Sequence, residues 1–134
     1  MYIHSLAFDP AANELVTVSV PNPRHRDLVV SRFARADMTL SSEFEPAIGA
    51  GLTLGEHRGL AEYLVTGATV TDGMLYAISA AYSTLLVIDL HDRTLRAAYA
   101  VPGVEHPVGV ATLEGQILVA QEDGRIAVLA RPGL

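Results

Sequence analysis

A repeat with a period of 42 residues constrains the fold of this chain more than any other sequence feature. The segment 67–92 (GATVTDGMLYAISAAYSTLLVIDLHD) recurs in shorter form at 108–132 (VGVATLEGQILVAQEDGRIAVLARP). The offset places Gly67 on Gly109 and Gly73 on Gly115. Repeats of about 40 to 50 residues that are built from short strands are typical of β-propeller blades.

The hydrophobic pattern within each copy has a period of two, which predicts strands and not helices. Runs such as MLYAIS and QILVAQ alternate with the turn signals TDG, LHDRT and QEDG. A less regular third copy lies near the N-terminus, where Leu15 corresponds to Leu75. We therefore expect a single domain of three units, at about 1–44, 66–101 and 107–132, with an irregular insertion at 45–65. The predicted strands lie near 3–8, 14–20, 27–35, 38–44, 67–71, 74–80, 84–90, 94–101, 108–112, 116–121 and 125–130.

The predicted fold class is all-β, with about three four-stranded antiparallel blades of a β-propeller. Three units cannot close a ring, because propellers close with about four to eight blades. The chain is then a fragment, half of a six-bladed ring that two chains build, or an open array. A plain sandwich of the same hairpins is a further alternative. Apolar blade faces at the ends of such an array predict a protein partner or self-association, including a homodimer that completes the ring.

The segment 85–129 resembles the blades of the YVTN and NHL-like β-propeller families. Those blades combine an apolar strand ending in Ile-Asp, a charged turn, a Gly, and Pro-x-Gly-Val-Ala before a glycine turn. The matching residues are Ile88, Asp89, Gly103, Pro107, Gly109, Val110, Ala111, Gly115 and Val119. The resemblance implies the fold but no particular activity, since propellers include enzymes, sensors and scaffolds.

Three polar residues are the candidate ligand-binding site. His4 and His106 are expected just before the innermost strands of the first and third units, and Glu105 adjoins His106. In a propeller these strand ends converge on the central channel. Two imidazoles and a carboxylate suit a divalent metal, but no short His spacing fixes them as ligands. We expect a polar pocket here, leave the metal open, and expect no cofactor.

A glycine-rich stretch in the insertion places Gly49, Gly51 and Gly55 near the spacing of a dinucleotide-binding loop. The fingerprint requires its third glycine one position earlier and a following βαβ unit, so we interpret the stretch as an inter-blade loop. A short helix is expected around 56–64, with Leu60, Ala61 and Leu64 on one face.

Composition excludes several functional classes. A net charge of −6 argues against nucleic acid as a partner, although Arg24, His25, Arg26 and Arg32 form one small basic cluster, interpreted as a solvated hairpin tip. The apolar runs are too short to insert in a membrane. The chain has no cysteine and no visible signal peptide, so a cytoplasmic or periplasmic location stays undecided.

No residue pattern of a hydrolase, such as G-x-S-x-G, occurs in the chain, so no catalytic residue is predicted. We therefore expect a non-catalytic binding and interaction module. The alternative is an enzyme domain whose central-channel site, with His4, Glu105 and His106, is completed by another chain or by missing sequence.

Overall fold

The structure is a computed structural model that describes residues 3–19, 27–52, 54 and 59–131. Its strands form three sheets that follow one another along the chain. The first sheet contains β1 (Ile3–Asp9), β2 (Glu14–Ser19), β3 (Val29–Ala34) and β4 (Leu40–Phe44). The second contains β5 (Ala47–Ile48), β6 (Val65–Thr71), β7 (Met74–Ser79), β8 (Thr84–Asp89) and β9 (Thr94–Ala100). The third contains β10 (Pro107–Leu113), β11 (Gln116–Gln121) and β12 (Ile126–Ala130).

These sheets confirm the predicted fold class, an all-β partial propeller, and we call them blades 1, 2 and 3. Each blade is an antiparallel meander in sequence order, to which blade 2 adds β5 as a fifth strand. Blade 3 has three strands within the described residues, so its outermost strand, β12, forms an edge. No helix in the described part of the chain is long and apolar enough to span a membrane.

Two tight hairpins explain why the repeat contains its glycines. The β6–β7 turn consists of Asp72 at φ 52° and Gly73 at φ 76°, and the β10–β11 turn of Glu114 at φ 48° and Gly115 at φ 78°. Two successive residues with positive φ define the hairpin turn whose twist matches that of the flanking strands. The glycine in each pair adopts this conformation without a steric penalty.

The innermost strands of the three blades are β1, β6 and β10, which lie side by side with β6 in the middle. Each pairs with the next strand of its own blade and has a register shift at the same point. The shift falls after Ile3 in β1, after Val65 in β6 and after Pro107 in β10. The repeat therefore reproduces a β-bulge as well as the strands.

The core consists of two apolar layers, one between each pair of neighbouring blades. We call the side of a blade that faces the preceding blade its front face, and the side that faces the following blade its back face. The first layer joins the back face of blade 1, including Val16 and Val18, to the front face of blade 2, including Leu75. The second joins the back face of blade 2, including Tyr76, to the front face of blade 3, including Ile117. Because strand residues alternate sides, Leu75 and Tyr76 enter different layers.

The insertion between blades 1 and 2 is partly ordered by blade 2. Ala47 and Ile48 form β5, which pairs in parallel with β9, and the Gly49 amide donates to the Leu95 carbonyl over 3.0 Å. A Cβ on Gly49 would lie 2.7 Å from that carbonyl oxygen. Gly49 thus lets the chain lie against the sheet edge, while Gly55 falls outside the described residues.

The helix expected around 56–64 is a single 3-10 turn at Leu60–Tyr63 within the described residues, and the predicted face is wrong. Leu60 and Tyr63 are buried, whereas Leu64 is exposed and has φ 51°. A 3-10 helix has three residues per turn, which puts residues 60 and 63 on one side. The Asp27 carboxylate holds the turn by accepting the Ala61 N–H at 2.7 Å.

Candidate interaction surfaces

Two of the three residues of the predicted polar site line one cleft. Glu105 and His106 line a small cleft of about 170 Å³ together with Glu122 and Asp123. His4 belongs to β1, which packs against β6, and β6 in turn packs against β10. The His4 side chain lies outside the described residues.

The backbone of His106 has a structural role in the connection that leads into β10. His106 has φ 47°, and its carbonyl accepts the Glu122 N–H at 3.0 Å. The equivalent residue of blade 2 is Leu64, which has φ 51° and accepts the Ala80 N–H at 3.0 Å. Because the two blades use a leucine and a histidine for the same connection, the position has a structural role that does not need an imidazole.

The acidic cleft offers no set of metal ligands. Among the described residues, no three His, Asp or Glu side chains are grouped so that they could hold a metal ion. The Glu105 backbone N–H donates to the Gln121 Oε1 over 2.9 Å, and the side chains of Glu105 and His106 are exposed. In this arrangement the cleft residues can contact a polar ligand but do not enclose one.

Arg32, the described member of the basic cluster, serves an internal network. It lies in β3 with 14% of its side chain exposed, and its guanidinium contacts Asp9 at 2.7 Å and Glu14 at 2.9 Å. A hydrogen bond from Ser41, together with Arg32, lowers the pKa of Glu14 against the effect of burial. Arg24, His25 and Arg26 lie outside the described residues. Arg32 therefore neutralises neighbouring carboxylates, and the hairpin-tip interpretation is wrong for this residue.

Asp89 organises the charged turn between β8 and β9. Its carboxylate accepts the N–H groups of His91 at 2.9 Å and Asp92 at 3.0 Å, and an Arg96 N–H at 2.9 Å. Burial acts to raise the pKa of Asp89, but these hydrogen bonds outweigh it and hold the pKa below the ordinary value. The charged residues of this turn thus have a structural function.

The back face of blade 3 is the most distinctive exposed surface. Its strand positions are all apolar or small apart from Gln116, and none of them is charged. Ile126 is 64% exposed, and Leu113 and Val128 are each 55% exposed. The members are Gly109, Ala111, Leu113, Gln116, Leu118, Ala120, Ile126, Val128 and Ala130. Exposed apolar surfaces of this kind are typical of sites that bind a protein, a membrane or a ligand.

The front face of blade 1 is a second exposed apolar surface, at the other end of the array. Leu6 is 61% exposed, Phe8 42% and Leu40 49%, while Leu15 and Phe33 are half-buried. The Arg35 guanidinium lies over the Phe8 ring at 5.7 Å from its centre. Thr17 and Ser31 of the same face are buried, so the exposed apolar part lies toward the turns at 10–13 and 35–39.

Sequence reasoning predicted apolar blade ends but did not name these residues as a site. The signal is present in the sequence, because alternation along β11 and β12 places Leu118 and Val128 opposite Ile117 and Leu129. Only the fold shows that Ile117 is covered by blade 2 while Val128 faces solvent.

No protein-family model and no curated protein matches this sequence. Solved structures do match its fold. Hydrazine synthase of Kuenenia stuttgartiensis is similar with a TM-score of 0.63 and 13% identity, over 96% of this chain and 32% of that chain. Sqt1 of Saccharomyces cerevisiae is similar with a TM-score of 0.57 and 10% identity, over 98% of this chain and 31% of that chain.

Both similar structures are β-propeller-type folds. The chain is therefore a propeller-like protein that spans about a third of the length of the structures it matches. At these identities the similarity defines the fold alone, because one fold serves many functions.

Proposed function

We propose that this protein is a non-catalytic interaction module that binds protein through the exposed apolar faces at the two ends of its blade array. The observation that carries the proposal is the back face of blade 3, where Leu113, Ile126 and Val128 are more than half exposed. Each internal blade contact buries the same kind of surface. Leaving it in water costs about 25 cal/mol per Å² of apolar area, which binding recovers.

We also propose that the blades are repeats of the YVTN or NHL-like kind. Residues of the motif have defined roles in the fold, which supports this assignment. Asp89 organises the β8–β9 turn, Pro107 opens the innermost strand β10, and Gly109 lies where β6 and β10 approach each other.

The second candidate function is an enzyme whose site lies in the central channel and includes His4, Glu105 and His106. The cleft beside Glu105 and His106 favours it, since it brings an imidazole near three carboxylates. In this alternative the remaining site residues come from another chain or from further sequence.

Site-specific photo-crosslinking tests the proposed module. A benzophenone amino acid at position 128, introduced in cells that produce the protein, is expected to capture a defined protein product. The matched control places the same group at Ile48, which is 44% exposed but lies in β5 at the outer edge of blade 2, outside both faces. Equal capture from the two positions, or none from position 128, would contradict the proposal.

Metal analysis of the purified protein separates the two functions. The module is expected to retain no stoichiometric metal after gel filtration without chelator. One metal ion per chain that is lost in a His106→Ala variant would favour the enzyme, and would direct attention to the cleft at Glu105.

A further inference from the structure

The contacts between blades within the chain follow one rule, in which a back face packs against a front face. Blade 2 presents Tyr76 and Val87 from its back face to Ile117 and Val119 on the front face of blade 3. Blade 1 and blade 2 meet in the same sense. Within the described residues, no blade packs on the back face of blade 3 or on the front face of blade 1, and the exposed apolar part of that front face lies beside the buried Thr17 and Ser31. We call these two the unpaired faces.

The unpaired back face has an apolar cross-strand pair at its centre, as the paired back face of blade 2 does. Tyr76 pairs across the sheet with Val87 in blade 2, and Leu118 pairs with Val128 at the equivalent positions of blade 3. Tyr76 and Val87 are fully buried against blade 3, whereas Val128 is 55% exposed. The back face of blade 3 therefore has the apolar residues that a fourth front face would cover.

The innermost strands provide an independent sign that another strand belongs here. A Cβ on Gly67 would lie 2.9 Å from the Cα of Gly109, so β6 and β10 touch through their backbones. Gly109 is the blade 3 equivalent of Gly67, and a Cβ there would meet only the Ala120 Cβ at 3.9 Å. Blade 3 thus has the glycine that permits close approach of a neighbouring innermost strand, but the described part of the chain places no strand there.

The two unpaired faces are also matched in polarity at one position. Between blades 2 and 3, the hydroxyls of Thr71 and Thr112 form a hydrogen bond across the layer. The strand register puts Leu113 at the position of Thr71 on the unpaired back face, and Phe8 at the position of Thr112 on the unpaired front face. A polar pair inside the chain is therefore replaced by two apolar residues, both exposed.

We propose that two copies of this chain associate head to tail, with the back face of blade 3 in each copy packed on the front face of blade 1 in the other. The proposal rests on the proposed function, because it names the protein that the apolar faces bind. It continues the two blade contacts already present in the chain. A contact between unlike faces closes into a ring or continues as a filament. Two copies supply six blades, which lies within the about four to eight that close a propeller, whereas three copies exceed it.

Light scattering of the purified chain over a range of concentrations is the first test. The expected mass is twice the 14.3 kDa of the chain. The variants Leu6→Asp, on the front face, and Val128→Asp, on the back face, are each expected to be monomeric, since each removes both contacts of the ring. Ile48→Asp is the control and is expected to stay dimeric, because Ile48 is 44% exposed but lies in β5 at the outer edge of blade 2, away from both faces.

Mixing the two variants distinguishes this arrangement from other dimers. Leu6→Asp keeps its back face and Val128→Asp keeps its front face, so an equimolar mixture is expected to form a one-to-one complex through a single intact contact. Far-UV circular dichroism and urea unfolding establish that each variant is folded before it is mixed. A dimer of Leu6→Asp alone would overturn the proposal, since it would show that like faces pair.

A monomeric wild-type chain would also overturn the proposal. If photo-crosslinking from position 128 then still captured another protein, the interaction module would stand and only its partner would change. If it captured nothing, the module would fail as well. A crosslinked product of twice the chain mass, which the proposal predicts, supports both.

Discussion

Gly67 is predicted to be indispensable to the contact between blades 2 and 3. A Cβ at this position would lie 2.9 Å from the Gly109 Cα, and 3.3 Å from both the Gly109 carbonyl carbon and the Val110 nitrogen. All three atoms belong to the backbone of an innermost strand, so no side chain can rotate away. In Gly67→Ala the two strands must separate by about half an ångström to restore an ordinary van der Waals contact.

The cost follows from what this separation disturbs. Overpacking a well-packed site typically destabilises a protein by about 1–3 kcal/mol. For a chain of this size, 1 kcal/mol lowers the melting temperature by about 4 °C, so we expect a decrease of about 4–12 °C. Urea unfolding followed by far-UV circular dichroism measures the free energy directly.

Gly109→Ala is the matched control, because its Cβ would make only an ordinary contact with Ala120 at 3.9 Å. It is expected to change the free energy of unfolding by less than about 0.5 kcal/mol or to stabilise slightly, since alanine restricts the unfolded chain. Both variants are measured in the Val128→Asp background, which removes association through the back face. Equal effects of the two substitutions, or no effect of Gly67→Ala, would refute the backbone contact.

Three further predictions concern the turns and the insertion. Asp89→Asn is expected to cost about 1–2 kcal/mol at pH 7, because the charged acceptor is lost. The pKa of Asp89 in the folded protein lies below its ordinary value of 3.8, so the stabilisation by its carboxylate is complete above about pH 4 and is lost as the pH falls through the folded-state pKa. The free energies of unfolding of wild type and variant, measured against pH, should therefore converge in acid. Asp27→Ala should lower the free energy of unfolding in urea by about 1–2 kcal/mol, because the Ala61 N–H loses its acceptor. The control Asp92→Ala removes a more exposed ion pair and should lower it by less than about 0.5 kcal/mol. Similar losses in the two variants would argue against the role of Asp27 in holding the 3-10 turn. Gly49→Ala should release β5 from β9, because the new Cβ would lie 2.7 Å from the Leu95 carbonyl oxygen. Hydrogen exchange of the backbone amides of residues 47 and 49 should then become faster while the blades stay folded. Unchanged exchange would contradict this close approach.

Much of the blade organisation could be predicted because it depends on local patterns. Alternating apolar residues define the strands, and the pairs Asp72-Gly73 and Glu114-Gly115 define the tight turns, whatever lies elsewhere in the chain. The three strands of the third unit were also predicted, near 108–112, 116–121 and 125–130, and the described residues contain β10, β11 and β12 there. The single 3-10 turn at Leu60–Tyr63 was not predicted, because a pattern this short does not distinguish three from 3.6 residues per turn.

The arrangement of the candidate site residues could not be predicted from local patterns. His4 and His106 were grouped because both lie near the start of an innermost strand, but β6 separates the two strands. Neither the sequence nor its repeat shows that residue 106 is needed for its positive φ, as Leu64 is in blade 2. The sequence assigns the residues of the apolar faces to strands, but it does not show that they are exposed.

The sequence by itself determined that this chain makes strands, where they turn, and that they repeat as blades, because these properties follow from neighbours within a few residues. The tertiary structure decided which face of each strand is covered. Val119 and Val128 have the same chemistry, yet only Val119 meets a preceding blade. It also brought Asp27 to Ala61 and Gly67 to Gly109, contacts between residues at least 34 positions apart. Such contacts depend on how whole sheets stack, which no local pattern specifies.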